Sequence, residues 1–276
     1  MEEKTYQTRL GTIHYWVSPG EGKPLVFLPG LTADHRLFEK QFAAFEGRYP
    51  LLVWDAPGHG ASRPFRLEFS LDSKAVWLRA ILRQEKMEDP VLIGQSMGGY
   101  VAQCFLERFP GTAAGFISID SAPLKRKYLT AAELWMLKHT DLIYRPYPWK
   151  ALQKAGLGVS TTDYGRELMA RMMADYTQKE YVDLAVHGFR ILAQAIEKDL
   201  PYTIDCPCLL LCGEEDKAGS AKRYNRRWGS EENLPLVWLP GAGHNSNCDT
   251  PERVNALIED FIRRRLPAGE EKENLP

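Results

Sequence analysis

Neither sign of charge dominates this chain of 276 residues: 35 lysines and arginines stand against 36 aspartates and glutamates, a formal net charge of −1. That balance leaves no electrostatic footprint for nucleic acid, whose phosphates demand a basic surface. No apolar run approaches the ~20 residues of a membrane-spanning helix. The first ten residues lack the basic start and apolar core of a secretory signal, so the cytoplasm is the expected location. Cysteine is sparse: Cys104, Cys206, Cys208, Cys212 and Cys248. An odd number without framework spacing suits a reducing compartment. Cys206 and Cys208 form a C-x-C pair, but no Cys/His cluster completes a four-ligand set, so no metal site is expected. Cys208 and Cys212 read instead as small buried residues of a strand. Internal repeats and low-complexity segments are absent.

What is there fits a globular chain: 44% hydrophobic and 26% charged residues. Short apolar runs recur at Leu25–Leu28, Leu51–Trp54, Val91–Gly94, Phe116–Ile119, Cys208–Leu211 and Leu236–Leu239. Continuous apolar runs of this length fit strands buried on both faces, as in a parallel sheet. Thr5–Val17 reads as a hairpin at the sheet edge, with Gly11 near its turn. Between the runs lie helical stripes: Ala75, Leu78, Ile81 and Leu82 after a candidate N-cap at Ser70, then Val101, Ala102, Phe105, Leu106 and Phe109. Thr250-Pro251 reads as an N-cap followed by proline at the first helical position, opening a helix to about Leu266. This alternation predicts an α/β fold, a mostly parallel sheet covered by helices on both faces. From about Leu124 to Leu200 no strand is evident. Stripes such as Leu168, Met169, Met172, Met173 and Tyr176, and Tyr181, Leu184, Ala185, Ile191, Leu192 and Ala195, predict a helical insertion instead.

The chemistry concentrates at Gly94-Gln95-Ser96-Met97-Gly98, a G-x-S-x-G motif followed by Gly99. It falls after a predicted strand and before a predicted helix. In that setting the serine sits on a sharp, strained turn with its hydroxyl exposed, and the glycines let strand and helix pack closely. The helix N-terminus then directs N–H groups at the reacting centre. An ordinary turn serine is the competing reading of Ser96, and the strand-to-helix context argues against it.

With these motifs in order the sequence resembles the α/β-hydrolase family, specifically its small capped members. Pro29-Gly30-Leu31 resembles the glycine turn after the third strand. Asp55 to Ser62 follows the D-x-P-G-x-G-x-S pattern, Gly213 to Asp216 the G-x-x-D loop, and Gly241 to His244 the G-x-G-H loop. The resemblance implies an α/β-hydrolase core at residues 1–123 and 201–267, a helical cap at 124–200 and a flexible tail at 268–276. It implies that Ser96 attacks a carbonyl, that His244 takes its proton, and that Asp216 orients the imidazole. The backbone N–H groups of Leu31 and Met97 would form the oxyanion hole. Many members carry His-Gly where this chain has Pro29-Gly30, but the donor is the next residue's N–H, so Leu31 can still serve. No metal or cofactor is implied.

Alternatives remain at several positions. Asp216 shares its loop with Glu214 and Glu215, and Asp120 follows an earlier strand where some members place the acid; Asp216 is preferred. His59 reads as structural, with Asp55 bonding its turn. His35 reads as a helix-start residue, and His139 and His187 as packing or surface residues. Trp135, Tyr144, Tyr147, Trp149, Tyr164, Tyr176 and Tyr181 read mostly as the packing of the insertion rather than a pocket lining. Lys125-Arg126-Lys127 reads as a solvated boundary. The expected activity is hydrolysis of a small, fairly apolar carboxylic ester, lactone or thioester through an acyl-enzyme. An amidase, a C–C bond hydrolase, or a cofactor-free perhydrolase or lyase would use the same triad. A non-hydrolytic receptor on the same scaffold is the alternative of another class. The expected partner is a small-molecule substrate, with no membrane span.

Overall fold

Side chains of a strand alternate between two faces, so a run that is apolar at every position needs a cover on both. The computed structural model, which describes residues 1–266, shows that cover. The predicted tail, 268–276, and Pro267 lie outside the described residues. In β3 (Leu25–Leu28), Val26 and Leu28 join one apolar cluster while Leu25 and Phe27 join another. The same division runs through β4 (Leu51–Trp54), β5 (Val91–Gln95), β6 (Gly115–Ile119) and β7 (Cys208–Gly213). Each such buried side chain contributes about 1.5–3 kcal/mol relative to exposure.

With β2 (Gly11–Ser18) and the edge strands β1 (Glu2–Thr8) and β8 (Leu236–Leu239), the sheet has eight strands in the order β1-β2-β4-β3-β5-β6-β7-β8. β1 and β2 form the expected hairpin, and β2 joins β4 antiparallel. Every other pairing is parallel. α2 (Leu71–Gln84), α3 (Met97–Arg108) and α9 (Ala221–Glu231) cover one face through residues such as Leu78, Phe105 and Trp228. α1 (Glu39–Phe45) and α11 (Pro251–Arg265) cover the other through Phe42 and Ile258. Ser70 caps α2 as expected, in a reciprocal bond with Ser73. Thr250 stands at the start of α11, but its hydroxyl does not cap that helix; it donates to the Ser246 carbonyl 3.0 Å away. The position was legible and the partner was not, because the preceding short helix α10 (Ser246–Asp249) offers a nearer acceptor.

Between β6 and β7 the chain forms α4 (Ala131–Lys138), α5 (Thr140–Tyr144), α6 (Trp149–Leu157), α7 (Asp163–Ala174) and α8 (Gln178–Lys198), with no strand. Tyr176 and Tyr181 are buried with Met173 and Leu184, and Tyr144 and Trp149 pack against them. Trp135 and Tyr147, also expected to hold the insertion together, are instead 55% and 45% exposed. Helical spacing alone cannot say which of two apolar faces finds a cover. Lys125 and Lys127 pair with Glu232 at 2.8 and 3.6 Å, at the junction of insertion and sheet. Among the described residues no helix is long and apolar enough to cross a membrane.

Candidate active site

The ends of β5, β7 and β8 bring three distant segments together. Ser96 follows β5 directly, at φ 49° and ψ −116°, backbone angles that non-glycine residues rarely adopt. The turn is enforced by close packing. A Cβ at Gly98 would overlap the Leu28 carbonyl, and one at Gly94 would stand 2.5 Å from the Gly98 carbonyl carbon. Gly98→Ala is therefore expected to destabilise the fold by about 3 kcal/mol or more, since backbone cannot step aside as a side chain can; urea denaturation of the variant measures it.

Asp216 lies in the loop after β7 and His244 in the loop after β8. His244 Nδ1 is 2.9 Å from Asp216 Oδ2, and its Nε2 is 2.9 Å from Ser96 Oγ. An ionised carboxylate can only accept, so Nδ1 carries the proton and Nε2 is left to accept from the Ser96 hydroxyl. Burial pushes the imidazole pKa down, but the bond to Asp216 and the charges of Asp216 and Asp120 outweigh it and hold it above the ordinary value. The Asp216 carboxylate also accepts from the Ala218 N–H at 2.7 Å.

The rival acids are placed elsewhere. Glu214 and Glu215 point to solvent. Asp120, after β6, is buried and accepts from the Gly213 N–H at 2.8 Å and from the Ser246 N–H and hydroxyl at 2.9 and 2.5 Å. It joins the acid-bearing loop to the histidine-bearing loop without itself bonding the ring. Burial pushes its pKa up to about 7, with His244 opposing and Asp216 reinforcing the shift.

Leu31 and Met97 both lie close to Ser96. Met97 opens α3, and a Cβ at Gly30, the residue before Leu31, would lie 3.2 Å from Ser96 Cβ. The Leu31 side chain packs against Gly188 of α8, so the insertion rests on this loop. Asp55 bonds its own turn through the Ala61 N–H at 2.6 Å and takes His35 at 2.8 Å, with the His35 ring stacked on Trp16. His59 is buried against the Pro57 carbonyl, and burial drives its pKa down to about 3. His187 packs on the edge of Phe69, and His139 stacks on Trp135. None of these four histidine rings hydrogen-bonds Ser96 or the His244 ring, whose partners are Asp216 and Ser96.

Two clusters have metal-like spacing among the described residues, Asp34/His35/Asp55 and Asp120/Cys212/Asp216. Their oxygens already accept from Arg36, His35 and Ala61 in the first, and from Gly213, Ser246, Ala218 and His244 in the second. Burial raises the Cys212 thiol pKa, which favours the protonated form that does not ligate metal.

Other contributors were not foreseen. Gln95 donates through Nε2 to the His244 carbonyl at 2.7 Å, tying the residue before the serine to the histidine loop. Ser121 donates to the Ser96 carbonyl at 2.7 Å. From the insertion, the Val159 carbonyl accepts the His244 N–H at 2.8 Å. A polar residue ending a buried strand was the available signal for Gln95; the others depend on contacts across more than twenty residues.

A strand-to-helix serine, an eight-stranded sheet of this order and these convergent loops define a class. The chain belongs to the alpha/beta hydrolase family, whose sequence model matches residues 25–257. It is similar to the AB hydrolase superfamily protein YisY of Bacillus subtilis, 24% identical over 256 residues that cover 88% of this chain and 92% of the relative. It is also similar to the (E)-2-((N-methylformamido)methylene)succinate hydrolase of Acinetobacter baylyi, 20% identical over 95% of this chain and 98% of the other. Among solved structures, Est816, described as an N-acyl homoserine lactone degrading enzyme, superposes with a TM-score of 0.75 at 23% identity, over 94% of this chain and all of that one. That likeness establishes the fold.

Proposed function

We propose that this chain is a serine hydrolase that cleaves a small, fairly apolar carboxylic ester, lactone or thioester through an acyl-enzyme. The observation that carries the reading is the continuous relay of two 2.9 Å hydrogen bonds from Asp216 through His244 to Ser96. In this reading Ser96 Oγ attacks the carbonyl carbon while Nε2 of His244 takes the hydroxyl proton. The charge that develops on the carbonyl oxygen is met by the N–H groups of Leu31 and Met97. Collapse expels the alcohol or thiol, which leaves with the proton from His244. Water then attacks the acyl-enzyme by the same route and releases the acid. Asp216 stabilises the imidazolium in both halves.

Residues 124–200 act in this reading as a cap over the core formed by 1–123 and 201–266. Its contact with Leu31 supports a role in excluding water and choosing the substrate. A cytoplasmic location accords with the five free thiols. The relative that acts on a methylenesuccinate is the reason to place such compounds beside esters and lactones in a substrate panel.

A fluorophosphonate probe tests the reading. Stoichiometric labelling, mapped to Ser96 by mass spectrometry and lost in His244→Ala, is the expected result. A folded protein that takes no label would remove the hydrolase reading and leave that of a ligand receptor on the same scaffold.

A further inference from the structure

Asp249, at the end of α10, is an aspartate five residues beyond His244 that the relay does not use. It is 8% exposed. Its carboxylate is nonetheless fully engaged, and its partners come from two parts of the chain. Oδ2 accepts the N–H of Gly243, the residue before His244, at 2.9 Å. Both oxygens accept the Thr161 N–H at 3.1 Å, and Oδ1 accepts the Thr162 N–H at 3.1 Å and the Thr162 hydroxyl at 2.8 Å. Thr161 and Thr162 belong to the turn between α6 and α7. Thr162 is also the N-cap of α7, accepting from the Gly165 N–H at 3.1 Å. The carboxylate thus stands at the positive end of a twelve-residue helix while holding the loop that carries His244.

Neighbouring contacts repeat the same junction. The Val159 carbonyl accepts the His244 N–H at 2.8 Å, Thr161 Oγ1 donates to the Gly241 carbonyl at 2.6 Å, and Asn245 Nδ2 donates to Ser160 Oγ at 3.0 Å. A Cβ at Gly243 would overlap the Val159 carbonyl, and one at Gly165 would stand 2.9 Å from Asp249 Oδ1. Both glycines keep the two segments in close approach. Every residue from 159 to 162 bonds a segment that includes His244 or Asp249.

We infer that Asp249 is a positioning residue that clamps the 159–162 turn of the insertion onto the His244 loop, so that the relay is complete only while the insertion is seated. The inference rests on the serine-hydrolase reading for its consequence, not for its geometry. Asp249 does not touch the reacting atoms; it acts through the backbone of Gly243 and Val159. Asparagine at this position keeps the shape but replaces one acceptor oxygen with an amino group that faces N–H donors. The His244 ring would then lose its register with both Ser96 and Asp216.

The test uses the full chain. Asp249→Asn is expected to slow fluorophosphonate labelling of Ser96 by on the order of 10–100-fold, the scale of a sub-ångström to 1 Å misplacement. The apparent pKa of His244, read by NMR titration of its ring nitrogens, should fall in the variant as the Asp216 bond weakens. Asp249→Glu, which restores the charge and two acceptors, should recover part of both. Thr162→Val should be less than additive with Asp249→Asn, because both break one clamp. An Asp249→Asn protein that is folded, labels at the wild-type rate and keeps the wild-type His244 titration overturns the inference, even if it melts earlier. If the variant does not fold, Thr162→Val alone carries the same test with the same two readouts. Absence of label in the wild type would instead remove the hydrolase reading, and the His244 titration would still decide the clamp.

Discussion

Ser96→Ala is expected to lower hydrolysis of an activated ester by about 10⁶-fold, the scale on which a serine hydrolase depends on its nucleophile, while leaving the fold intact. The two halves of that expectation have separate causes. The hydroxyl is the group that His244 Nε2 faces at 2.9 Å, so its removal leaves the imidazole with no nucleophile to activate. The turn itself is set by the backbone around it: the Ser96 N–H donates to the Ile119 carbonyl at 2.9 Å, and the Gly99 N–H to the Ser96 carbonyl at 3.0 Å. Alanine meets the same strained φ as serine and adds no atom to a tight contact, so stability should shift by less than about 1 kcal/mol. Steady-state turnover of a p-nitrophenyl ester, with thermal unfolding alongside, reads both. Retention of even a hundredth of the rate would mean that another group attacks the carbonyl.

Asp216→Asn should cost about 10⁴-fold in kcat, because a carboxamide can donate to Nδ1 and select the wrong tautomer. Its pH profile should change as well. The base must be neutral to accept the serine proton, so the rate rises with pH through the pKa of His244. In the native protein burial lowers that pKa and Asp216 raises it more, leaving the midpoint above the ordinary value. Without the carboxylate the midpoint moves to lower pH. Asp120→Asn separates the two buried acids. Asp120 bonds Gly213 and Ser246 but not the ring, so its loss should reduce kcat by about 100-fold at most, a positioning effect. Its mark should be on stability. A carboxyl raised by folding to about 7 favours the folded state fully below its unfolded pKa, about 4, and loses that contribution as pH climbs to about 7. The wild type should therefore lose stability relative to Asp120→Asn between those limits, as denaturation at each end would register. If Asp120→Asn proved the more damaging to kcat, the acid would have to be reassigned.

Much of the scaffold could be read from the chain because its signals are local. A four-residue run such as Leu51–Trp54, apolar throughout, has few options beyond a doubly covered strand, and Ser70 before the stripe of Ala75, Leu78, Ile81 and Leu82 marked the start of α2. Ser96 and His244 were marked by glycines that the tight turns require. The G-x-x-D pattern favoured Asp216 over Glu214, Glu215 and Asp120, but pattern alone could not close the choice, because all four follow strands at the same sheet edge and only distance to the ring separates them. Gln95 and Asp249 went unnoticed for a related reason. A side chain that bonds backbone of a distant loop leaves no periodic trace, and the turn at 159–162 carries no motif. The insertion was plain as a helical segment, yet its outward face was not: Trp135 and Tyr147 have the composition of a core and the exposure of a surface.

The seam between the 159–162 turn and the histidine loop bears on any attempt to transplant specificity. Insertions of this kind are natural units to exchange between relatives, and the obvious cuts fall at the ends of the helical segment. Here such a graft would bring a foreign turn against Asp249 and Gly243, leaving a buried carboxylate without its threonine donors and the His244 N–H without the Val159 carbonyl. A chimera that exchanges residues 124–200 should therefore keep the native 159–165 stretch, or import the partner's 243–249 loop with its own turn, so that donor and acceptor travel together.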